Sequence, residues 1–384
     1  MTAAVALVFA LATAEPAWKS LPVVAPTGEK AHTGSYVVTD RASVAWTRPP
    51  FTPDARVSTG RKAAKVVVVV YDPILEREGG KRMTEFLGAN DPVEYSHILA
   101  NVIREASWGY VNYEIVDAIR VDGFPVKTDG FRYTDESFLE VRKTQNWQPA
   151  TISYKKMLEE NGLVERCKKE GITEIWLWGC GGMHFDEFAM MIPNRTARFG
   201  PTDNPWLYRP YDIPEDLGRT TWVMGFNYEV GADNMIHSYT HRVESMGALA
   251  IADGVWDPKS SRSDPWNVFT RLEMERKGEP SQVGNCHVPP NGEQGYDYDN
   301  KRRVMCLADN WARYPDVRGP ARLVSSAEWG NNQFGYQKWI LERVPKFPGA
   351  TEHGYNNWWV YVANTDEDLP ELATPEATRF VMPN

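Results

Sequence analysis

The sequence lacks a basic block. Its 42 Lys and Arg residues are outnumbered by 51 Asp and Glu residues, which gives a formal net charge of −9. Proteins bind nucleic acids largely through cationic side chains that neutralise phosphates, so this acidic balance argues against a nucleic-acid partner. Downstream of the N-terminus, no apolar run approaches the roughly 20 residues that cross a bilayer, so we expect no membrane span.

Cysteine is also scarce, with four residues in 384, and their spacing does not fit the CxxC pattern of a structural zinc site. Cys286 and Cys306 flank a polar loop rich in Gly, Pro and Asn, which a covalent link would stabilise. We therefore predict a disulfide between these two residues. Cys167 and Cys180 either form a second pair or remain as buried thiols.

Aromatic residues, in contrast, are abundant: the chain has 15 Trp, 17 Tyr and 14 Phe. The hydrophobic share of 42% and the charged share of 24% are ordinary for a soluble globular protein and exclude disorder or a collagen-like structure for the whole chain. Two interpretations of the surplus stay open. The rings form a surface that stacks on sugars or other flat ligands, or they fill a Trp-rich core.

The N-terminus has the pattern of a secretory signal peptide. An apolar run ends in Ala12-Thr13-Ala14, a small-x-small cleavage pattern, so residues 1–14 predict a signal peptide and a secreted, extracellular protein. The alternative is a buried N-terminal helix or strand. Residues 15–60 are rich in Pro, Thr and Ser and predict an extended lead-in to the folded part.

Residues 61–254 are predicted to form an α/β core. Five consecutive valines, Val66–Val70, do not alternate with polar residues, which is typical of a central parallel strand buried on both faces. A helix is predicted over 92–107, with Asp91 as its N-cap. Further strands are predicted at 113–121, 174–179 and 220–228, and further helices at 152–170, with a kink at Gly162, and at 232–250.

This alternation predicts a mostly parallel central sheet with helices on both faces. Ligands of such sheets bind beyond the carboxyl ends of the strands, which here carry Asp72, residues 179–182 and Tyr228-Glu229. Residues 255–384 contain many Pro, Asn and Trp residues. We predict that they form a loop-rich aromatic cap over the sheet ends, or a small subdomain continuous with the core.

The helix predicted at 232–250 carries the most informative pattern of the chain. His237 and His241 are four residues apart and Glu244 follows three residues later, so all three lie on one side of a helix. Two histidines at this spacing can bind one metal ion, and Glu244 could complete a three-ligand zinc site. The zincin pattern is absent, because Ser238 follows the first histidine, so a peptidase is not supported. Catalysis without a metal and a purely structural network stay open as alternatives.

A glycine-rich turn follows the strand at 174–179. It presents His184, Asp186 and Glu187 toward the same crevice, where together with Glu229, His241 and Glu244 they are candidates for general acid and base catalysis of glycosidic bond cleavage. In a competing interpretation, Cys180 on this turn is a nucleophile.

The predicted cap supplies candidate substrate-binding residues. His287 beside the predicted disulfide and Asn291 after the Pro pair would be held rigidly. Trp329 and Trp358 are candidates for stacking on sugars. Asp297, Asp299 and Asn300 have a calcium-like spacing, but the rest of an EF-hand loop is missing, so a hydrogen-bonded turn is favoured here and calcium is a weaker prediction than zinc.

Three functions are consistent with these patterns. The first is a secreted hydrolase that acts on a polysaccharide or glycoconjugate by carboxylate and histidine chemistry. The second is a zinc-dependent hydrolase centred on His237, His241 and Glu244. The third is a non-catalytic extracellular binding or assembly protein. Convergence of His184, Glu187, His237, His241 and His287 in one pocket would favour an enzyme.

Overall fold

The computed structural model describes residues 37–40, 43–45, 62–191, 212, 214, 217–363 and 379–383. The predicted signal peptide and most of the predicted lead-in lie outside the described residues. Within these ranges, no helix combines the length and apolar character that crossing a bilayer requires. The domain boundary at residues 254 and 255 stays a prediction.

The strands are β1 (Val37–Asp40), β2 (Ser43–Ala45), β3 (Lys62–Tyr71), β4 (Ile74–Leu75), β5 (Lys81–Arg82), β6 (Val111–Val121), β7 (Ile172–Gly179), β8 (Phe188–Met191), β9 (Thr221–Asn227), β10 (Val304–Cys306), β11 (Arg322–Val324), β12 (Lys346–Thr351) and β13 (Gly354–Asn357). The α-helices are α1 (Met83–Leu87), α2 (Pro92–Ala106), α3 (Asp135–Thr144), α4 (Tyr154–Glu160), α5 (Leu163–Glu170), α6 (Ala232–Ile251), α7 (Pro265–Phe269), α8 (Gln333–Arg343) and α9 (Trp359–Ala363). Short 3-10 helices span Glu76–Glu78, Ala308–Arg313 and Ser326–Trp329.

A five-stranded sheet with the order β6-β3-β7-β9-β8 forms the centre of the molecule. β3 runs parallel to β6 and β7, β7 runs parallel to β9, and only the edge strand β8 is antiparallel. This confirms the predicted α/β class with a mostly parallel sheet. The chain leaves β3 for β6 on one side and later returns to β7 on the other, so the strand order reverses beside β3.

The valine run of β3 is buried as predicted, since Val66–Val70 are at most 2% exposed. The same holds for Trp176 and Trp178 on β7, which have no exposed surface. At the end of β3, Asp72 accepts hydrogen bonds from the backbone and hydroxyl of Thr84 and pairs with Arg120 at 2.8 Å. Asp72 therefore ties the chain beyond β3 to β6.

The predicted helices are present with small changes in their limits. Asp91 caps α2 by accepting hydrogen bonds from the amides of Val93 and Glu94, as its position in the sequence predicts. The helix predicted at 152–170 is divided into α4 and α5, because Gly162 takes a left-handed conformation (φ 65°) that ends one helix and begins the next. The helix predicted at 232–250 is α6, with 20 residues.

The predicted disulfide between Cys286 and Cys306 is wrong. All four cysteines are free and buried. The Cys306 thiol donates to the carbonyl oxygen of Gln282, whereas the Cys286 thiol faces His237. The two side chains point to different partners, so the loop is held by hydrogen bonds instead of a covalent link.

Candidate metal centre and active site

Three histidine side chains converge on one point beside α6. The Nε2 atom of His241 lies 3.1 Å from Nε2 of His237 and 3.1 Å from Nε2 of His287. His237 and His241 lie on successive turns of α6. His287 lies in the loop between α7 and β10 and contacts both of them. Together with Cys286, the three histidines form a cluster whose ligand atoms are close enough to hold one metal ion. Among the His, Cys, Asp and Glu residues of the described ranges, this is the cluster that meets that criterion.

Glu244 fixes the orientation of this centre and does not face it. One carboxylate oxygen is 2.7 Å from Nδ1 of His241, and the other accepts a hydrogen bond from the backbone amide of Cys286 at 2.5 Å. The structure therefore corrects the predicted role of Glu244 as a metal ligand. Because it holds the proton on Nδ1, the carboxylate leaves the lone pair of Nε2 free to bind a metal.

The loop that carries His287 is held from two sides. Asn285 accepts from the amides of His287 and Val288 through its side-chain oxygen. On α8, the Tyr336 hydroxyl donates to the carbonyl oxygens of Asn285 and Val288, and Gln337 donates to that of Cys286. His287 was predicted to bind substrate, but these bonds place its ring beside His237 and His241.

Cys286 lies next to the centre with its thiol buried. Its sulfur is 3.3 Å from Nδ1 of His237, the ring nitrogen opposite the one that faces the other histidines. Burial, together with the charges of Glu244 and Glu187, raises the pKa of this thiol well above its ordinary value. The thiol donates to the carbonyl oxygen of His237 at 3.6 Å, and the side-chain amide of Gln337 lies 3.4 Å from the same Nδ1.

The electrostatic environment keeps two of the three rings neutral. Burial and the neighbouring rings of His241 and His287 lower the pKa of His237 to about 3. Burial and His241 also lower the pKa of His287. Burial acts in the same direction on His241, but its hydrogen bond to Glu244 and the charges of Glu244 and Glu187 outweigh it and raise the pKa. Neutral imidazole is the form that binds metals, so this environment favours ligation by His237 and His287, whereas His241 would have to lose the proton that its carboxylate neighbours stabilise.

A second carboxylate, that of Glu187, approaches the histidine cluster at Nε2 of His241. Its Oε2 lies 3.7 Å from Nε2 of His241, and its side chain is 46% exposed. The segment that carries it is held against β9, where the amide of Gly225 donates to the carbonyl oxygen of Glu187 at 3.0 Å. A methyl group at position 225 would lie 2.1 Å from the carbonyl oxygen of Asp186, so glycine alone allows this close approach.

A cavity of about 240 Å³ opens beside Glu187 at the carboxyl ends of β7 and β9, where the sheet topology predicts a ligand site. The residues that line it come from the glycine turn, from β9 and from α6: Cys180, Gly181, Gly182, His184, Phe185, Glu187, Gly225, Phe226, Asn227, Asn234 and Ser238. His184 and Glu187 thus line one crevice, and Glu187 connects it to the three histidines. His237, His241 and His287 are not among the residues that line this cavity, so convergence of all five side chains in one pocket stays a prediction.

The other residues of the glycine turn have local roles. The Cys180 thiol is buried, and burial raises its pKa to about 12, which is opposite to what a nucleophilic cysteine needs. The amide of Asp186 donates to the hydroxyl of Tyr154. Glu229 pairs with Arg142 at 2.8 Å and accepts from the amide of Gly181 at 2.7 Å, so it holds the turn in place and lies apart from the histidines.

The remaining predicted substrate-binding residues are buried. Asn291 has no exposed surface and donates to the carbonyl oxygens of Asn300 and Arg302. Trp329 is 4% exposed and donates to the carbonyl oxygen of Tyr298, and Trp358 is 3% exposed and packs on other rings. In this conformation neither indole is accessible for stacking on a sugar.

The predicted calcium site is a hydrogen-bonded turn. The Asp297 carboxylate accepts from the amide of Glu293 and from the side chain of Asn300, which is the arrangement of a loop that stabilises itself. Tyr296, at the start of this turn, is a site residue that the sequence did not reveal. Its hydroxyl lies 3.1 Å from Nε2 of His287.

The distances from Nε2 of His241 to the other two Nε2 atoms fit a shared metal ion. Two nitrogens that are each 2.0–2.1 Å from a tetrahedral zinc lie about 3.3 Å apart, close to the 3.1 Å of both nitrogen pairs here. Without a cation, the lone pair of His241 can accept only one hydrogen bond, although two other ring nitrogens face it. Structural zinc sites have four protein ligands, and Cys286 belongs to the same group of side chains. Three histidine ligands would leave the fourth position of zinc open, as in catalytic sites, provided that the Cys286 sulfur stays beside Nδ1 of His237.

The role of Glu244 gives a first prediction. In Glu244→Gln the amide retains an acceptor for Cys286 but loses the charge that favours the proton on Nδ1 of His241. We expect zinc affinity to fall about 10- to 100-fold, the usual effect of removing such a partner, with the fold retained. Competition with a fluorescent zinc chelator, next to circular dichroism, measures both quantities. An unchanged affinity would show that Glu244 only fastens the Cys286 loop.

No family model matches this chain, and neither a curated protein nor a solved structure was found to be similar to it. The chemistry of the site is therefore argued from its own geometry.

Proposed function

We propose that this protein is a zinc-dependent hydrolase in which His237, His241 and His287 hold the metal and Glu187 is the general base. The observation that carries the proposal is that Nε2 of His241 lies 3.1 Å from Nε2 of both His237 and His287, with the Glu187 carboxylate 3.7 Å from the same nitrogen. This is the second of the functions that the sequence predicts, with His287 in place of Glu244 as the third ligand.

A zinc ion in such a site supplies a water molecule whose pKa is lowered to about 7 and polarises a substrate carbonyl or phosphoryl oxygen. Glu187 is placed to take the proton of that water. Its Oε2 is 3.7 Å from a ligand nitrogen, and its Oε1 lies 3.5 Å from the hydroxyl of Ser238. Because the side chain is half exposed, Glu187 can exchange protons with solvent after each turnover.

The cavity beside Glu187 indicates the chemical class of the substrate. Asn227, Asn234 and Ser238 give its wall uncharged hydrogen-bonding groups, and among the described residues that line it there is no Lys or Arg. Anionic groups are recognised mainly by such cations. We infer that the cavity receives a neutral polar group next to the bond that is cleaved, so ester and amide substrates are favoured over phosphates.

The glycan hydrolase that the sequence also predicts has less support at this centre. Glycosidases use two carboxylates, and Glu244 is committed to His241 and to the amide of Cys286. A glycan remains compatible as the molecule that carries the ester or amide. Secretion, helices on both faces of the sheet and an aromatic cap remain proposals drawn from the sequence.

The first test is the metal content of the protein, followed by a substrate panel. Protein purified in the presence of zinc and then dialysed is expected to retain one zinc ion per chain, measured by inductively coupled plasma mass spectrometry. Hydrolysis of p-nitrophenyl acetate and of an N-acetylated sugar is expected to exceed that of bis-p-nitrophenyl phosphate. Zinc-replete protein that retains no metal would contradict the proposal.

Glu187→Gln separates chemistry from metal binding. The amide cannot accept a proton, so we expect kcat to fall about 10²- to 10⁴-fold, the usual contribution of general base catalysis, while zinc stays bound. Glu352→Gln is the matched control. The Glu352 side chain is 49% exposed and lies 3.8 Å from Nε2 of His353, and neither residue belongs to the histidine cluster. Equal loss of activity in both variants, or loss of zinc in Glu187→Gln, would exclude the assigned role.

A further inference from the structure

Tyr296 is the one aromatic residue of this site whose ring lies mostly in solvent, with 61% of the residue exposed. Its hydroxyl is 3.1 Å from Nε2 of His287, the same separation that relates the histidine nitrogens to one another. The phenol oxygen therefore lies beside the ring nitrogen of His287 that belongs to the histidine cluster, at the distance expected between two ligand atoms of one metal ion.

Two further features hold the ring in this place. It stacks on His237 with an angle of 13° between the ring planes, and it also contacts His287, with 4.7 Å between ring centres. The Tyr296 amide donates to the carbonyl oxygen of His287 at 2.6 Å, so its backbone is tied to a predicted ligand.

The backbone of Tyr296 is in the left-handed region, with φ 63°. A bulky residue adopts this conformation at a cost in free energy, and such conformations persist where neighbouring contacts impose them and are frequent at functional sites. The neighbouring Tyr298 is different, since it is 6% exposed and its hydroxyl donates to the carbonyl oxygen of Cys286 at 2.9 Å. Of these two tyrosines, only Tyr296 combines contact with the histidines and freedom to leave.

We propose that Tyr296 is a displaceable metal ligand that occupies the open position of the centre until a substrate oxygen replaces it. This inference rests on the proposed metal site. On binding, the phenol oxygen donates an electron pair to the metal and its proton passes to solvent. When a substrate oxygen takes the position, the phenol regains a proton from solvent and the ring moves outward, which exposes little additional surface because most of it is already exposed.

The test uses a metal with a visible signature. Tyrosinate bound to Cu(II) gives a ligand-to-metal charge-transfer band, whereas Cu(II) bound to histidine and water alone does not give the tyrosinate band. The full-length protein loaded with one equivalent of Cu(II) is expected to show this band. Tyr296→Phe should bind Cu(II) in the same stoichiometry and lose the band, and Tyr298→Phe should keep it.

Displacement is tested on the same sample. Excess sodium acetate supplies an oxygen ligand without a visible charge-transfer band, so we expect it to reduce the band while dialysis shows that the metal stays bound. A band that survives in Tyr296→Phe, a wild-type protein that binds Cu(II) without the band, or a band that acetate leaves unchanged overturns the inference. These outcomes leave the proposed metal site intact, whereas failure to bind any metal overturns both.

Discussion

Replacement of His241 by alanine is expected to abolish stoichiometric zinc binding and, with it, hydrolysis. His241 is the central ring of the three, because its Nε2 lies 3.1 Å from the Nε2 atoms of both His237 and His287. Its loss removes one ligand and leaves the Glu244 carboxylate, which is 5% exposed, without its histidine partner. We expect the zinc affinity to fall by far more than the roughly 10- to 100-fold that removal of a supporting residue costs.

The measurement is zinc per chain after dialysis, together with the rate of ester hydrolysis. His353→Ala is the matched control, since His353 also lies beside a glutamate, Glu352, but is outside the histidine cluster. It should retain the zinc and the activity of the wild type. If His241→Ala binds zinc as tightly as the wild type, the three rings form a hydrogen-bonded network and the proposed hydrolase is excluded.

Replacement of Arg242 by methionine is expected to destabilise the protein by about 3–5 kcal/mol, the usual cost of removing one partner from a buried ion pair. Arg242 and Glu174 have fully buried side chains and are joined by two hydrogen bonds of 2.9 and 2.8 Å. Arg242 also donates to the carbonyl oxygen of Val362 and lies 3.9 Å above the ring of Trp222. The substitution leaves the Glu174 carboxylate buried without its cation.

Midpoints of urea unfolding for the wild type and the variant measure this effect. Arg132→Met is the control, because Arg132 and Glu160 are also joined at 2.7 Å but their side chains are 45% and 41% exposed. Exposed pairs of this kind contribute at most about 1 kcal/mol. The double variant Arg242→Met with Glu174→Leu removes both charges and should recover part of the loss. If Arg242→Met unfolds at the same urea concentration as the control variant, the pair contributes no more than a surface contact.

The ion pair also bears on the site. Arg242 follows His241 on α6, and Glu174 lies on β7, so their pairing fixes the position and rotation of α6 against the sheet. His241 precedes Arg242 and points about 100° away from it around the helix axis, toward His237 and His287. A weaker metal affinity in Arg242→Met at temperatures where the protein is still folded would be consistent with this coupling.

Local sequence patterns predicted a large part of the fold. The unbroken valines of β3, the Asp91 cap of α2 and the division at Gly162 each depend on neighbours within a few residues, so periodicity and propensity are sufficient to predict them. The pair His237 and His241 belongs to the same class, because one helical turn determines their proximity.

Local sequence patterns could not predict which other residues join His237 and His241 in the site. In the sequence, His287 follows His241 by 46 residues, and Glu187 precedes His241 by 54 residues. No spacing rule relates such positions. Their contact depends on the hydrogen bonds of α8 to the loop before β10 and on the close approach of Gly225 to the segment that carries Glu187.

The sequence by itself therefore determined the α/β class, the central strand and the two histidines of α6, because these follow from contacts between near neighbours in the chain. Only the tertiary structure decided that Glu244 is hydrogen-bonded to His241 and to the backbone of Cys286, that Cys286 is a free thiol and that Trp329 and Trp358 are buried. The physical reason is common to all three. The role of a side chain is set by the groups that surround it in space, and elements distant in the sequence supply those groups.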